Sequence, residues 1–374
     1  MRKLICTATI AVSVFALIGA CSKSGSGNGP TNGGGDKGSS FDRKAMLTNL
    51  SANVIIPAYS NYQTTTVNLD AAVTAFNTAP DVTKLSALQD AFKAAYKQWQ
   101  ATAEFDFGPA NDASFRANTN TYPTDLNQIS SNINSGTYNP ALLANLSAKG
   151  LPALDYLLFG TGADNNAILV QYTSDANAAK RKTYLASLSA ELKANAAKIL
   201  AAWNGSYKAT FLNATGTDVG SSTGQLVNQL VFDYEILKNY EIGIPAGIQS
   251  AGTPFPQKVQ AYYSKISVQL TLLHLQALLD IYTGKDGLGL DDYLISANAK
   301  YSDGSSLNDT ILKQFAAAKT KLQALTDPLS DNIKANPAAV TTAYTELQKL
   351  TVLLKTDMTS SLGILITYGD NDGD

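Results

Sequence analysis

The chain has 374 residues with a single histidine, and its 28 Lys and Arg against 30 Asp and Glu give a formal net charge of -2. This near balance argues against nucleic acid as a partner, because such binding depends on dense positive charge. The length exceeds the usual size of one hydrophobic core and therefore predicts two domains.

The first 21 residues have the pattern of a lipoprotein signal. Arg2 and Lys3 precede a short apolar run, which ends in Ile18-Gly19-Ala20-Cys21. A membrane-spanning helix needs about 20 apolar residues, so a retained anchor helix is the less favoured alternative. We predict a signal peptide over residues 1–20 and acylation of Cys21, which would attach the protein to the membrane through lipid. No acidic cluster follows Cys21, which favours an outer-membrane lipoprotein on the periplasmic side over display at the cell surface.

Residues 21–40 contain the predicted lipidated cysteine and a flexible tether rich in Gly, Ser and Asn. From Phe41 onward, apolar residues recur three or four positions apart, which predicts an all-α body. The longest such run is Val259–Tyr282, and Thr173–Asp175 is a candidate cap for the helix that covers Thr183–Trp203. Thr64–Val67 is the best strand-like run and is too short to change the fold class.

A Gly/Thr/Ser-rich break at Asn213–Gly224 is the best candidate domain boundary. Two segments, Ala153–Gly160 and Ala277–Gly284, each end an apolar helix with glycine. Together these features predict two helical-bundle domains, residues 41–215 and 216–374, related by duplication.

His274 lies inside the longest apolar run and is typical of a half-buried histidine bonded to a neighbouring helix. Zinc catalysis would need further ligands, and the mature chain offers no second histidine and no free thiol. The segment Gly220–Gly224 matches a Gly-x-Ser-x-Gly pattern, but no strand leads into it. We therefore interpret it as a chance match rather than a nucleophile elbow.

The carboxylates are the remaining reactive groups. Glu104 and Asp106 flank Phe105, while Asp233 and Glu235 lie on a helix that extends towards Glu241. Asp155 lies in an apolar segment, where a carboxylate must face water, pair with a cation or bind a ligand. Two alternatives stay open for it: structural pairing with Arg116 or a lysine, or a site in a cleft. The acidic end, 370–374, is an acidic tail or the start of a calcium loop that lacks its final glutamate.

Several segments together resemble the imelysin family, also known as the insulin-cleaving membrane protease or iron-regulated protein group. They are Tyr96-Lys97-Gln98-Trp99-Gln100, Phe105-Asp106-Phe107-Gly108-Pro109, Tyr122-Pro123-Thr124-Asp125, Gly150–Gly160, Tyr263–Ser267, Leu278–Gly284 and Gly287–Asp292. The resemblance implies two helical-bundle domains, an envelope location and a link to iron or haem acquisition. It also implies a metal site on a Gly-x-His-x-x-Glu motif.

At that motif this chain departs from the family pattern. Pro152 stands at the histidine position and Asp155 at the glutamate position. Proline offers no ligand and no proton, although it suits the first turn of a helix. The chain is therefore expected to lack peptidase activity and to have no catalytic residue at this motif.

We expect a lipid-anchored, non-catalytic binding or accessory protein for iron or haem, acting with envelope uptake proteins. Its cleft between the bundles would include Asp155 and Tyr156, with Glu104, Arg116 and Glu235 as further candidates. Asp155 is also the candidate metal ligand, and the cofactor itself stays open. One rival hypothesis is a metallopeptidase with a rearranged carboxylate site that uses Asp155, Glu104 or Glu235. A third is a purely structural lipoprotein that binds a membrane partner.

Overall fold

The structure is a computed structural model that describes residues 41–368. Regular structure in this range is helical, apart from one isolated antiparallel bridge between Lys300 and Ser306. The all-α prediction is confirmed. The predicted signal peptide, lipidated Cys21, tether and acidic tail lie outside the described residues. Between residues 41 and 368, no helix is long and apolar enough to cross a membrane.

Ten α-helices precede the midpoint break. They are α1 (Arg43–Asn49), α2 (Ile56–Thr78), α3 (Val82–Trp99), α4 (Pro109–Asp112), α5 (Phe115–Thr119), α6 (Leu126–Ser135), α7 (Gly150–Asp155), α8 (Asn165–Thr173), α9 (Ala178–Ala202) and α10 (Lys208–Asn213).

Seven α-helices follow the break. They are α11 (Ser222–Glu235), α12 (Ser267–Thr283), α13 (Leu290–Ser296), α14 (Leu307–Gln323), α15 (Leu329–Ala335), α16 (Pro337–Val352) and α17 (Thr359–Leu362). Wider π-helical turns continue several helices, at Leu50–Ile55, Tyr156–Gly160, Trp203–Tyr207, Ile236–Gly243 and Leu353–Met358. Three 3₁₀ turns lie at Ala103–Phe105, Leu143–Ala148 and Pro256–Lys258.

Local capping explains where several helices begin and end. The Asp81 side chain accepts the backbone N–H of Lys84 at the start of α3, and Ser221 accepts that of Gly224 at the start of α11. These bonds satisfy amide groups that have no partner within the helix. Gly284 ends α12 at φ +64°, the left-handed conformation that glycine adopts without strain.

The helices pack in two groups that share one continuous buried core. In the first group α2 packs on α3 and α9, and α8 packs on the same two helices. In the second, α14 packs on α12 and α16, which both also contact the π-helical continuation of α11. The groups meet where α12 packs on α3 and where α11 packs on the turn Ala103–Phe105. The predicted break corresponds to the loop 214–221 between α10 and α11, and independent domains with these boundaries stay a prediction.

The strand-like run Thr64–Val67 lies within the 23-residue helix α2, in agreement with the all-α prediction. Two local predictions were wrong. Thr173–Asp175 does not cap α9, which begins at Ala178 after Asn177. The helix that carries His274 begins at Ser267 rather than at residue 259. The Asp155 carboxylate accepts the backbone N–H groups of Tyr263 and Ser264, so these groups do not make the hydrogen bonds of a helix that starts at residue 259.

Candidate metal centre

Three buried side chains from distant parts of the chain converge between the two helix groups. Glu104 comes from the turn Ala103–Phe105, Asp233 from α11 and His274 from α12. One ligand atom from each residue lies within 4.8 Å of those from the other two. His274 Nε2 is 2.9 Å from Asp233 Oδ2 and 4.0 Å from Glu104 Oε1. Two carboxylates and one imidazole therefore face a common point.

Glu241 holds the opposite edge of the imidazole ring. Its Oε1 lies 2.8 Å from His274 Nδ1. Asp233 and Glu241 are eight residues apart, and in a regular α-helix this spacing would rotate them about 80° from each other. The π-helical segment Ile236–Gly243 continues the helix of Asp233 and contains Glu241, and its wider turns reduce that angle. One helix can thus place both carboxylates on the same histidine.

Arg116 supports the centre from α5. Its Nη2 pairs with Asp233 Oδ1 and also donates to the Ala103 carbonyl oxygen, and its Nε lies 3.6 Å from Asp106 Oδ2. Because the guanidinium occupies one oxygen of Asp233, the other oxygen is directed to His274. Arg116 thereby fixes the orientation of a candidate ligand.

The surroundings perturb the ionisation of these groups. Burial raises the pKa of Glu104 well above its usual value, and the nearby Asp233 adds to this. Burial alone would also raise the pKa of Asp233, but Arg116 and His274 outweigh it and hold that pKa below its usual value. Burial would lower the pKa of His274, whereas Asp233 and Glu241 raise it well above the usual value. These directions describe a cluster whose charges depend strongly on one another.

Glu104 is a member of the centre whose carboxylate has no hydrogen-bond donor among the described residues. Both of its carboxylate oxygens are buried and have no hydrogen-bond partner among the described residues. A buried polar group in this state is rare and calls for an explanation such as a bound ion or water. Even with Glu104 neutral, as its raised pKa favours, the carboxylates of Asp106, Asp233 and Glu241 outnumber Arg116 and a protonated His274 by one charge. The site therefore carries a formal excess of negative charge that a cation would neutralise.

The donor set fits a first-row transition-metal ion. Imidazole suits iron, zinc, copper and nickel, and carboxylate oxygen suits harder ions, so a mixed set favours an ion such as iron. Nε2 would be the ligand atom, with Nδ1–H donating to Glu241. A carboxylate in this outer position is the usual support for a metal-bound histidine.

A cavity of about 230 Å³ lies against this centre. Its walls include Trp99, Phe232, Ile236 and Tyr240, while Arg116, Glu241 and His274 line its polar side. Tyr240 is 49% exposed. The centre is therefore buried but borders a pocket with aromatic walls.

The structure brings together only some of the residues predicted to form the cleft. Glu104 and Arg116 belong to the centre. Glu235 is directed elsewhere, and its Oε1 is 2.9 Å from Lys355 Nζ. Tyr156 packs against Tyr263, with ring centroids 5.2 Å apart.

Asp155 has a structural contact that the sequence did not reveal. Its two oxygens accept the backbone N–H groups of Tyr263 and Ser264, each at 2.9 Å. The suggested pairing with Arg116 was wrong, since the guanidinium is paired with Asp233 and Asp106. Asp155 is only 2% exposed, and burial raises its pKa to about 6 despite the hydrogen bonds from Ser264 and Tyr263.

Sequence reasoning missed the combination of Asp233, Glu241 and His274. The expectation of a half-buried histidine bonded to a neighbouring helix was right about the bonding, but the side chain is fully buried. The available signal was a lone histidine in an apolar helix together with acidic residues on a preceding helix. Their convergence depends on a π-helical turn and on contacts across the chain, which the spacing alone does not give.

The fold and the centre define an all-α protein with a buried carboxylate–histidine cluster. The family model of imelysin matches residues 55–356, and the chain belongs to the imelysin family. Iron-regulated protein A of Synechococcus elongatus is 23% identical over 322 residues, covering 81% of this chain and 84% of that protein.

Two crystal structures share the fold. One is described as an iron-regulated protein A precursor from Parabacteroides distasonis, with a TM-score of 0.70 and 16% identity, covering 85% of this chain and 94% of that one. The other is an imelysin-like protein from Psychrobacter arcticum, with a TM-score of 0.66 and 22% identity, covering 87% and 97%. At these identities the likeness concerns the fold.

Proposed function

We propose that this imelysin-family protein binds an iron cation at Glu104, Asp233 and His274 and serves iron handling in the cell envelope without catalysing a reaction. The observation that carries the proposal is Glu104, whose two buried oxygens lack hydrogen-bond partners within residues 41–368 although a histidine and a second carboxylate lie beside them. The choice of iron draws on the donor set and on the name of the related iron-regulated protein A.

The cavity favours an ion over haem. Pockets for organic ligands commonly enclose roughly 300–1,000 Å³. The cavity beside His274 is about 230 Å³, which is small for a macrocycle. The proposed cargo is therefore the cation itself.

Metal titration of the purified protein tests the proposal. We expect about one iron ion per chain by equilibrium dialysis and elemental analysis. Glu104→Gln and His274→Gln should each weaken binding at least tenfold, because each removes a ligand. Glu241→Gln should weaken it about 10- to 100-fold, as expected for a residue that orients a ligand.

Two carboxylate-to-amide variants serve as matched controls. Glu235→Gln lies two positions from Asp233 on the same helix, and Asp155→Asn removes a buried carboxylate outside the centre. Both should bind iron like the wild type, and circular dichroism should verify the fold of every variant. Wild-type affinity in Glu104→Gln would refute the centre, whereas loss of binding in Asp155→Asn alone would move the site to the family motif.

The envelope and non-catalytic parts of the proposal have separate tests. Lipid attachment is supported by Ile18-Gly19-Ala20-Cys21, and Cys21→Ala should move the protein from the membrane to the soluble fraction. The absence of a histidine at position 152 supports a non-catalytic role. Cleavage of a protein substrate that iron restores and a chelator removes would instead favour the metallopeptidase alternative.

A further inference from the structure

We infer that the cavity beside the centre binds a small, single-ring oxygen chelator that completes the coordination of the cation. This inference deepens the proposed function and depends on the metal site. The first argument is the number of ligand atoms available from the protein.

The protein supplies few ligand atoms. Arg116 pairs with Asp233 Oδ1, so Asp233 offers the ion its Oδ2. His274 offers Nε2, because Glu241 takes up Nδ1. Three-residue ligand sets of this kind leave coordination positions open to an exogenous ligand.

The cavity has the chemistry to hold the body of such a ligand. Trp99, Phe232, Ile236 and Tyr240 give it aromatic and aliphatic walls, and His274 lines its polar side. Apolar walls with a few polar groups at one end are typical of small-molecule sites. A volume of about 230 Å³ limits the ligand to a compact molecule such as a one-ring acid.

Two further lining residues favour an acceptor-rich ligand. Gln100 Nε2 and the Tyr122 hydroxyl are buried without a hydrogen-bond partner among residues 41–368. Both can donate, so oxygen acceptors on a ligand would satisfy them. A carboxylate with a neighbouring hydroxyl provides such acceptors and also chelates iron through oxygen.

Salicylate and 4-hydroxybenzoate form a matched pair of probes. They have the same atoms and the same charge at neutral pH, but only salicylate places its hydroxyl and carboxylate close enough to chelate one ion. Iron(III)-loaded protein is titrated with each probe by calorimetry and by visible absorption, and the iron that stays with the protein is measured after desalting. We expect salicylate to bind at least tenfold more tightly than 4-hydroxybenzoate, and to lose at least tenfold in affinity when iron is removed.

Filling the cavity provides the second test. Ile236→Trp should weaken salicylate binding at least tenfold while the iron content stays the same. Ile295→Trp makes the same substitution at a 58% exposed position outside the cavity lining and should bind like the wild type.

The outcomes separate this inference from the proposed function. Equal affinities for the two probes, salicylate binding that ignores Ile236→Trp, or removal of iron by salicylate would each overturn the inference while the metal site stands. Failure of the wild type to load iron at all would overturn both.

Discussion

The pH dependence of stability tests the energetic role of Asp155. Its two oxygens hold the backbone of Tyr263 and Ser264 just before α12, and burial raises its pKa to about 6 from the ordinary 3.8. One pKa unit corresponds to about 1.36 kcal/mol, so ionising this group costs about 3 kcal/mol more in the folded protein than in the unfolded chain.

The sign follows from proton linkage. The folded state binds the Asp155 proton more tightly than the unfolded state, so this group's contribution is fully favourable below about pH 4. This contribution decreases as the pH rises through about 6, and above that value the group no longer changes the stability with pH.

The assay is urea unfolding of the wild type and Asp155→Asn between pH 4 and pH 8. Other buried carboxylates titrate in the same window, so the quantity to follow is the difference in unfolding free energy between the two proteins. The variant loses one of the two backbone hydrogen bonds that the ionised carboxylate accepts, at about 1–3 kcal/mol, because an amide offers a single acceptor oxygen. We expect the wild type's advantage over the variant to shrink by about 2 kcal/mol from pH 4 to pH 7, because part of the full contribution of about 3 kcal/mol is already lost at pH 4.

A carboxylate that accepts two backbone N–H groups can also have a lowered pKa. If those hydrogen bonds outweighed burial, the wild type would lose stability towards acid relative to Asp155→Asn. An advantage that grows with pH would therefore refute the reasoning.

Two further predictions concern stability away from the centre. Gly150 has φ +68°, and an added Cβ would lie 2.2 Å from the Thr119 carbonyl oxygen, whereas a Cβ on Gly363 at φ +64° would meet no described atom within 4 Å. Gly150→Ala should therefore lower the free energy of unfolding in urea clearly more than Gly363→Ala does. Equal losses of stability would show that backbone strain alone decides. Asn49 donates to two carbonyl oxygens in the loop before α13, so Asn49→Ala should destabilise the protein by about 1–3 kcal/mol. Thr64→Ala at an exposed position should change stability by less than about 0.5 kcal/mol. An unchanged stability in Asn49→Ala would show that this contact does not stabilise the packing of α1 on the second group.

The secondary structure was largely predictable because it depends on local signals. Apolar residues at helical spacing gave the all-α class, and Gly284 marked the end of α12. The same signals failed at residues 259–266, where the pattern continued but the helix did not. There Asp155, more than a hundred positions earlier, accepts the backbone N–H groups of Tyr263 and Ser264.

The candidate site was predictable only in part. Glu104 was a candidate as a reactive carboxylate and Arg116 as a partner for Asp155, but in the structure they lie close to Asp233 on α11 and His274 on α12. The family motif predicted a ligand role for Asp155, whose carboxylate instead accepts the backbone N–H groups of Tyr263 and Ser264. Asp233 and Glu235 were candidates together, but they bind different partners because two positions along an α-helix place side chains on nearly opposite faces.

The sequence by itself determined the helical class, because this depends on local periodicity, while the lipoprotein signal near the N-terminus stays a prediction. Only the tertiary structure decided which charged residues share an environment. Glu104, Asp233 and His274 are separated by up to 170 positions and meet because two helix groups pack on a common core. Their chemistry depends on distance and burial, and neither is encoded in the spacing of residues along the chain.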